Sequence, residues 1–104
     1  MPTYGNHIEI NTYTGGCGTR VIDVNPQINV GVTSQLVVSC ALVDSLDRPL
    51  RESGVIYDGF PEANVPAIQG IRWLVEDAPP GGVKVHVYAQ YLGEVTVDTA
   101  TCRT

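Results

Sequence analysis

The stretch Val83-Lys84-Val85-His86-Val87-Tyr88-Ala89-Gln90 alternates apolar and polar residues without a break, and Glu94-Val95-Thr96-Val97-Asp98-Thr99 does so again after Tyr91-Leu92-Gly93. In an extended chain successive side chains point to opposite faces, so such a segment buries one face against a core and gives the other to water. The short glycine-containing break predicts a hairpin. No segment shows a comparable helical period. Eleven Gly and seven Pro are spread along the 104 residues closely enough to interrupt any long helix. These features predict an all-β domain.

The rest of the chain follows the same pattern. Ile8, Ile10 and Thr12 alternate with polar neighbours and predict a first strand, closed by the glycine-dense turn Thr14-Gly15-Gly16-Cys17-Gly18. Residues 20–24 predict a second strand, ended by Asn25-Pro26. Ile28, Val30 and Val32 continue the alternation towards the longest expected strand, residues 35–44. Leu46-Asp47-Arg48-Pro49 predicts a turn, and residues 54–57 a short strand. Residues 58–70, with Pro61 and Pro66, predict an irregular loop; residues 71–75 then predict a strand carrying Trp73. Residues 76–82 predict a turn before the terminal hairpin. About seven to eight short strands in a single domain, residues 1–104, predict a two-sheet sandwich, with a small barrel as the alternative. The faces holding Leu36, Val38, Cys40 and Leu42, and Val83, Val85 and Val87, are expected to meet in one core that also buries Trp73.

Charge narrows the partners. Six Lys and Arg stand against eleven Asp and Glu, a net charge of −5. Lys84 is the sole lysine and the arginines are scattered, so the positive field that phosphate binding needs is missing. Neither a nucleic acid nor an anionic membrane surface is an expected partner. No run reaches the roughly 20 apolar residues of a spanning helix. Met1 to Asn6 shows neither the basic start nor the apolar run of an export signal, which reads as a chain kept in the cytoplasm or carried in a larger assembly. Charged residues make up 16% of the chain, against about 25% in typical soluble domains. That balance suits a surface packed against neighbours.

Candidate chemistry is sparse. Cys17, Cys40 and Cys102 show no C-x-x-C spacing, so zinc ribbons and thioredoxin-like redox motifs are absent. Cys40 keeps register with Leu36, Val38 and Leu42 and reads as a small buried hydrophobe. Cys17 and Cys102 either bridge, if their strands adjoin, or stay separate thiols. His7, Glu9 and His86 would form a two-histidine, one-carboxylate set only if their strands paired, and Lys84 would repel the cation. Cys17 among its glycines has no histidine nearby to act as a base. Asp44, Asp47, Glu76 and Asp77 read as turn formers, without the three-carboxylate run of a calcium loop. The glycine-dense turn leads into a strand, whereas phosphate cradles lead into a helix. No catalytic residue, metal or cofactor is expected.

The segment Ser34-Gln35-Leu36-Val37-Val38-Ser39-Cys40-Ala41-Leu42-Val43-Asp44, followed by Arg48-Pro49-Leu50, resembles the second strand and following turn of bacterial and phage immunoglobulin-like domains. Glu76-Asp77-Ala78-Pro79-Pro80-Gly81-Gly82, leading into Val83 to Ala89, is similar to their acidic corner before the sixth strand. The resemblance implies a Greek-key sandwich of the kind found in phage capsid-decoration and tail-accessory proteins. The chain departs from it in two places. No cysteine lies in Val83 to Ala89 to pair with Cys40, and Trp73 comes later than the core tryptophan of those domains.

The resulting expectation is a non-enzymatic structural or interaction protein of the virion, docked on a capsid or tail lattice or associated with copies of itself as an oligomer. The alternative is a small module that binds a carbohydrate or a peptide. Tyr57, Phe60, Val65 and Ile68 make the 58–70 loop apolar for a surface element, while Tyr88 falls on the polar face of its strand and Tyr91 at the hairpin tip. These six residues form the expected contact surface, since exposed tyrosines bury much area at small entropic cost. With so few charges, at least one sheet edge is expected to lack the usual protection and to be covered by a partner.

Overall fold

The computed structural model describes residues 3–5, 7–15, 21–65, 67–68, 70–74 and 82–102, with side chains at 7–14, 22–65, 70, 72–73 and 82–101. Among the described residues there are nine strands and no helix. One sheet places β1 (Thr3–Gly5), β2 (Ile8–Gly15) and β3 (Val21–Val30) side by side, and β6 (Ala67–Ile68) and β7 (Ile71–Leu74) share the far edge of β3. The other sheet is ordered β5 (Pro49–Gly59), β4 (Leu36–Asp44), β8 (Val83–Tyr91), β9 (Glu94–Cys102). Every pairing is antiparallel. The chain changes sheet after β3, after β5 and after β7, and neither sheet closes on itself. The fold is the two-sheet sandwich and not the barrel.

The inward faces follow the period of two. Ile8 and Ile10, the β3 residues Ile22, Val24, Ile28 and Val30, and the expected faces of β4 and β8 form one buried cluster together with Trp73. Each fully buried aliphatic side chain there contributes on the order of 1.5–3 kcal/mol of transfer free energy.

Four departures from the sequence expectations have physical causes. The first is Asn25-Pro26, which lies inside β3 and does not end it. Proline cannot donate to a ladder, and here the neighbouring strand gives way. Gln27 pairs with Ile68 and Val24 with Ile71, in unchanged register, so the break between β6 and β7 falls opposite Asn25 and Pro26. Gly70 sits in that break, where a Cβ would lie 2.9 Å from Asn25 Oδ1.

The second is β5, which runs on to Gly59 and shortens the expected loop at its start. Its register against β4 slips three times, leaving Ile56, Ser53 and Leu50 as extra residues. Leu50 and Ile56 pack against the core. The hydroxyl of Ser53 accepts from Cys40 N at 2.8 Å and donates to Cys40 O at 3.0 Å, standing in for a missing backbone partner. Bulges twist an edge away from intruding strands, so this edge is blunted by shape, where a sheet edge was expected to lack the usual protection and to be covered by a partner.

The third is β9. Its hairpin with β8 turns through Leu92 and Gly93, at φ 51° and 76°, the left-handed pair of a two-residue type I′ turn. Pairing then proceeds from Tyr91 opposite Glu94 to Val83 opposite Cys102 without a slip. Because Ala89 and Val87 face inward, their partners Thr96 and Asp98 are buried and Val95 and Val97 are left outside. The tight turn fixes the register, and register fixes the face.

The fourth concerns the resemblance to immunoglobulin-like domains. Cys40 lies directly opposite Val87 within one sheet, so a cysteine on β8 would meet it beside the strand and not across the sandwich. The residues of the acidic corner from Glu76 to Gly81, and the side chains of Cys17 and Cys102, lie outside the described residues.

Candidate interaction surface

The outward side chains of β5, β4, β8 and β9 fall into rows set by their pairing. One row runs Val55, Ser39, Tyr88, Val97, and the next runs Asp58, Val37, Gln90, Val95. Val55 and Val95 are each 62% exposed, and Tyr88 and Val97 are also open to solvent. A third row, Glu52, Ala41, His86, Thr99, turns polar, with His86 Nδ1 2.8 Å from Thr99 Oγ1. Charge then collects at the end near the β4–β5 turn, where Lys84 Nζ is 3.1 Å from Asp47 Oδ1. Asp44 Oδ1 accepts from the backbone N–H of Leu46 at 2.9 Å and of Arg48 at 2.8 Å, and Arg48 Nε donates to Asp44 Oδ2 at 2.8 Å. The backbone bond from Arg48, joined by these other contacts, holds the Asp44 carboxyl below the ordinary carboxylate range. Asp44 and Asp47 are thus committed to the turn itself.

The opposite end of this sheet exposes apolar side chains among polar ones, with Gln35 Nε2 donating to Asp58 Oδ1 at 2.9 Å. The Tyr91 hydroxyl donates to Val32 O and accepts from Val32 N at 3.1 Å, which ties the β3–β4 connection to the end of β8. A hollow of about 320 Å³ beside it is lined by Gln35, Val37, Gln90 and Leu92 among others. The segment after β5 is pinned by Asn64 N to Val30 O at 2.8 Å and by Ala63 N to Thr33 Oγ1 at 3.3 Å. Around this end Phe60 is 69% exposed, and Val32, Val65 and Leu92 also face solvent.

Of the six expected contact residues, the structure exposes three. Phe60 and Val65 lie on the loop, and Tyr88 lies at the centre of the outer sheet face. Tyr57 is half-buried on β5 against the core. Ile68 pairs with Gln27 through its backbone, and its side chain is outside the described residues. Tyr91 is a correction: at 2% exposure its ring belongs to the core and its hydroxyl to Val32, so it cannot present itself to a partner. Val55, Val95 and Val97 were missed. The alternation in β9 signals two unlike faces, but only the turn says which one is outside.

The residues considered for chemistry do not converge. His7 lies at the β1–β2 turn of one sheet, whereas His86 lies on the outer face of the other. Among the described residues no three metal-ligating side chains gather. Burial pushes the Cys40 thiol up to about 11, partly offset by its Ser53 hydrogen bond, which keeps it protonated and a poor nucleophile.

No protein-family model matches the sequence, and no curated protein matches it. Among solved structures the chain is similar to Pseudomonas fluorescens alkylpurine DNA glycosylase AlkC bound to DNA containing an abasic site analog, with a TM-score of 0.65 at 17% identity. The likeness covers 96% of this chain and 31% of that one, and it concerns the arrangement of strands.

Proposed function

We propose that the chain is a non-catalytic interaction domain that docks on a protein surface of a larger assembly. It does so through the outer face of the β5-β4-β8-β9 sheet and the exposed apolar side chains at its adjoining end, Phe60 and Leu92 among them. The observation that carries this reading is the outward placement of Val95 and Val97 beside Tyr88 and Val55. Exposed apolar side chains in adjoining rows add nothing to the core and invite association. Complete burial under a partner would contribute about 1.5–3 kcal/mol for each. The contact is hydrophobic, so salt affects it little. A capsid or tail lattice supplies such a surface, and the low charged fraction of the chain suits that setting. The similar solved structure carries this strand arrangement as 31% of a longer chain, which fits a domain that works beside others. Its DNA is not carried over, because the lysine on this face, Lys84, is engaged by Asp47.

Photo-cross-linking in the cell of origin tests the reading. A photoreactive residue at position 97 or 55 is expected to trap one discrete protein, and one at position 72, on the other sheet, is not. Val97→Asp is expected to abolish the adduct from position 55 while leaving the circular dichroism spectrum unchanged. Equal adducts from both sheets, or none from positions 97 and 55, would count against it.

A further inference from the structure

The outer face of the other sheet has a different chemistry. Pairing sets Glu9 beside Asn29, Asn11 beside Gln27 and Tyr13 beside Asn25, and paired residues share a face. Four amides and an exposed tyrosine therefore occupy a patch on β2 and β3, on a face about 20 Å long at the usual rise per strand residue. Asparagine is disfavoured in strands, where Thr or Val would fit a solvent face better. Three neighbouring asparagines break that rule together, and sequences break local rules chiefly where function requires it.

One of these amides is not used up within the fold. Asn29 Oδ1 is buried yet has no hydrogen-bond partner among the described residues. It borders a hollow of about 260 Å³ shared with His7, Glu9 and Asn64. A second hollow, of about 360 Å³, lies at the other end of the face between Asp23, Asn25, Gly70 and Arg72. The absent side chain of Gly70 leaves room for the Asn25 amide there.

We propose that this face binds a neutral polysaccharide lying along β2 and β3. A sugar hydroxyl both donates and accepts, and an amide side chain offers both functions within one planar group. The ring of Tyr13 supplies the apolar platform on which the C–H face of a pyranose rests, with a phenolic hydroxyl at its rim. Charge selects against anionic chains. Arg72 Nε is 2.6 Å from Asp23 Oδ1, so that cation is neutralised, and the Glu9 carboxylate lies on the same face, accepting from Asn11 Nδ2 at 3.0 Å. An acidic glycan or a nucleic acid would meet net repulsion here. The face is open, which suits the flank of a long chain more than its end.

Affinity electrophoresis in native gels cast with mixed-linkage β-glucan, galactomannan or arabinoxylan tests this directly. At least one polysaccharide is expected to retard the protein. The double variant Asn11→Thr/Gln27→Thr is expected to weaken that binding by about tenfold or more, a loss of about 1.4 kcal/mol, with an equal or higher melting temperature. Tyr13→Ala, at an exposed side chain, is expected to do the same with the fold intact. Val97→Asp is expected to leave retardation unchanged, which separates this face from the docking face. Mobility unaffected by all three polysaccharides, or retardation unchanged in both variants, would overturn the proposal.

Discussion

The hydroxyl of Tyr91 serves both backbone groups of Val32, so one side chain does the work of a ladder partner for a segment that has left its sheet. Tyr91→Phe keeps the packed ring and leaves the N–H and C=O of the solvent-facing Val32 without their side-chain partner, which costs about 0.5–1.5 kcal/mol. Urea unfolding followed by fluorescence checks this; an unchanged midpoint would show that water serves Val32 equally well. Cys40 gives a pH signature of the opposite kind to a carboxylate. Its folded value, pushed up to about 11, stands above the ordinary 9.0. The stability it contributes is therefore complete below pH 9 and is lost as pH rises towards 11. In a Cys17→Ser/Cys102→Ser background, the native protein is expected to resist a disulfide-exchange reagent at pH 8. The urea midpoint of that variant is expected to fall between pH 9 and 11 more steeply than that of the same background carrying Cys40→Ala.

The β8–β9 turn places a leucine where asparagine is the favoured residue. Leu92 holds φ at 51° with much of its side chain exposed, a conformation that costs most non-glycine residues free energy. Leu92→Asn is expected to raise stability by about 0.5–1 kcal/mol in urea titrations while weakening partner docking by removing an exposed apolar side chain. Strand β8 was legible in the sequence because its alternation and the turn after it agree. Strand β3 was misread at Pro26 because the compensation lies elsewhere, in the break before Ile71. Strand β5 hid its length because three bulges space its half-buried residues Leu50, Ser53 and Ile56 by three, where the eye looks for two. Exposure was legible at Phe60, Val65 and Tyr88, and not at Tyr91, whose partner Val32 lies 59 residues away. The amide face was written in plain alternation, as Asn25, Gln27 and Asn29 between Val24, Ile28 and Val30, but gained meaning only once β2 was paired beside it.

The described residues form an elongated body of 41 × 22 × 20 Å whose two sheets present outer faces of unlike chemistry. Its sheets join strands far apart in sequence, such as β4 with β8 and β3 with β7. Loop closure must precede such pairing, so refolding is expected on the scale of milliseconds to seconds. Stopped-flow fluorescence of Trp73 measures this, and complete recovery within about 0.1 ms would contradict it. The two sides of β4 also differ in how they tolerate change in chain length. Strand β5 already absorbs three supernumerary residues against it, whereas β8 matches it residue for residue over its full length. One more insertion in β5 adds another kink at a margin; one in β8 would turn every following side chain inside out. As copies of this gene diverge, gains and losses of single codons will therefore collect between Pro49 and Gly59, and the spacing from Val83 to Tyr91 will stay constant.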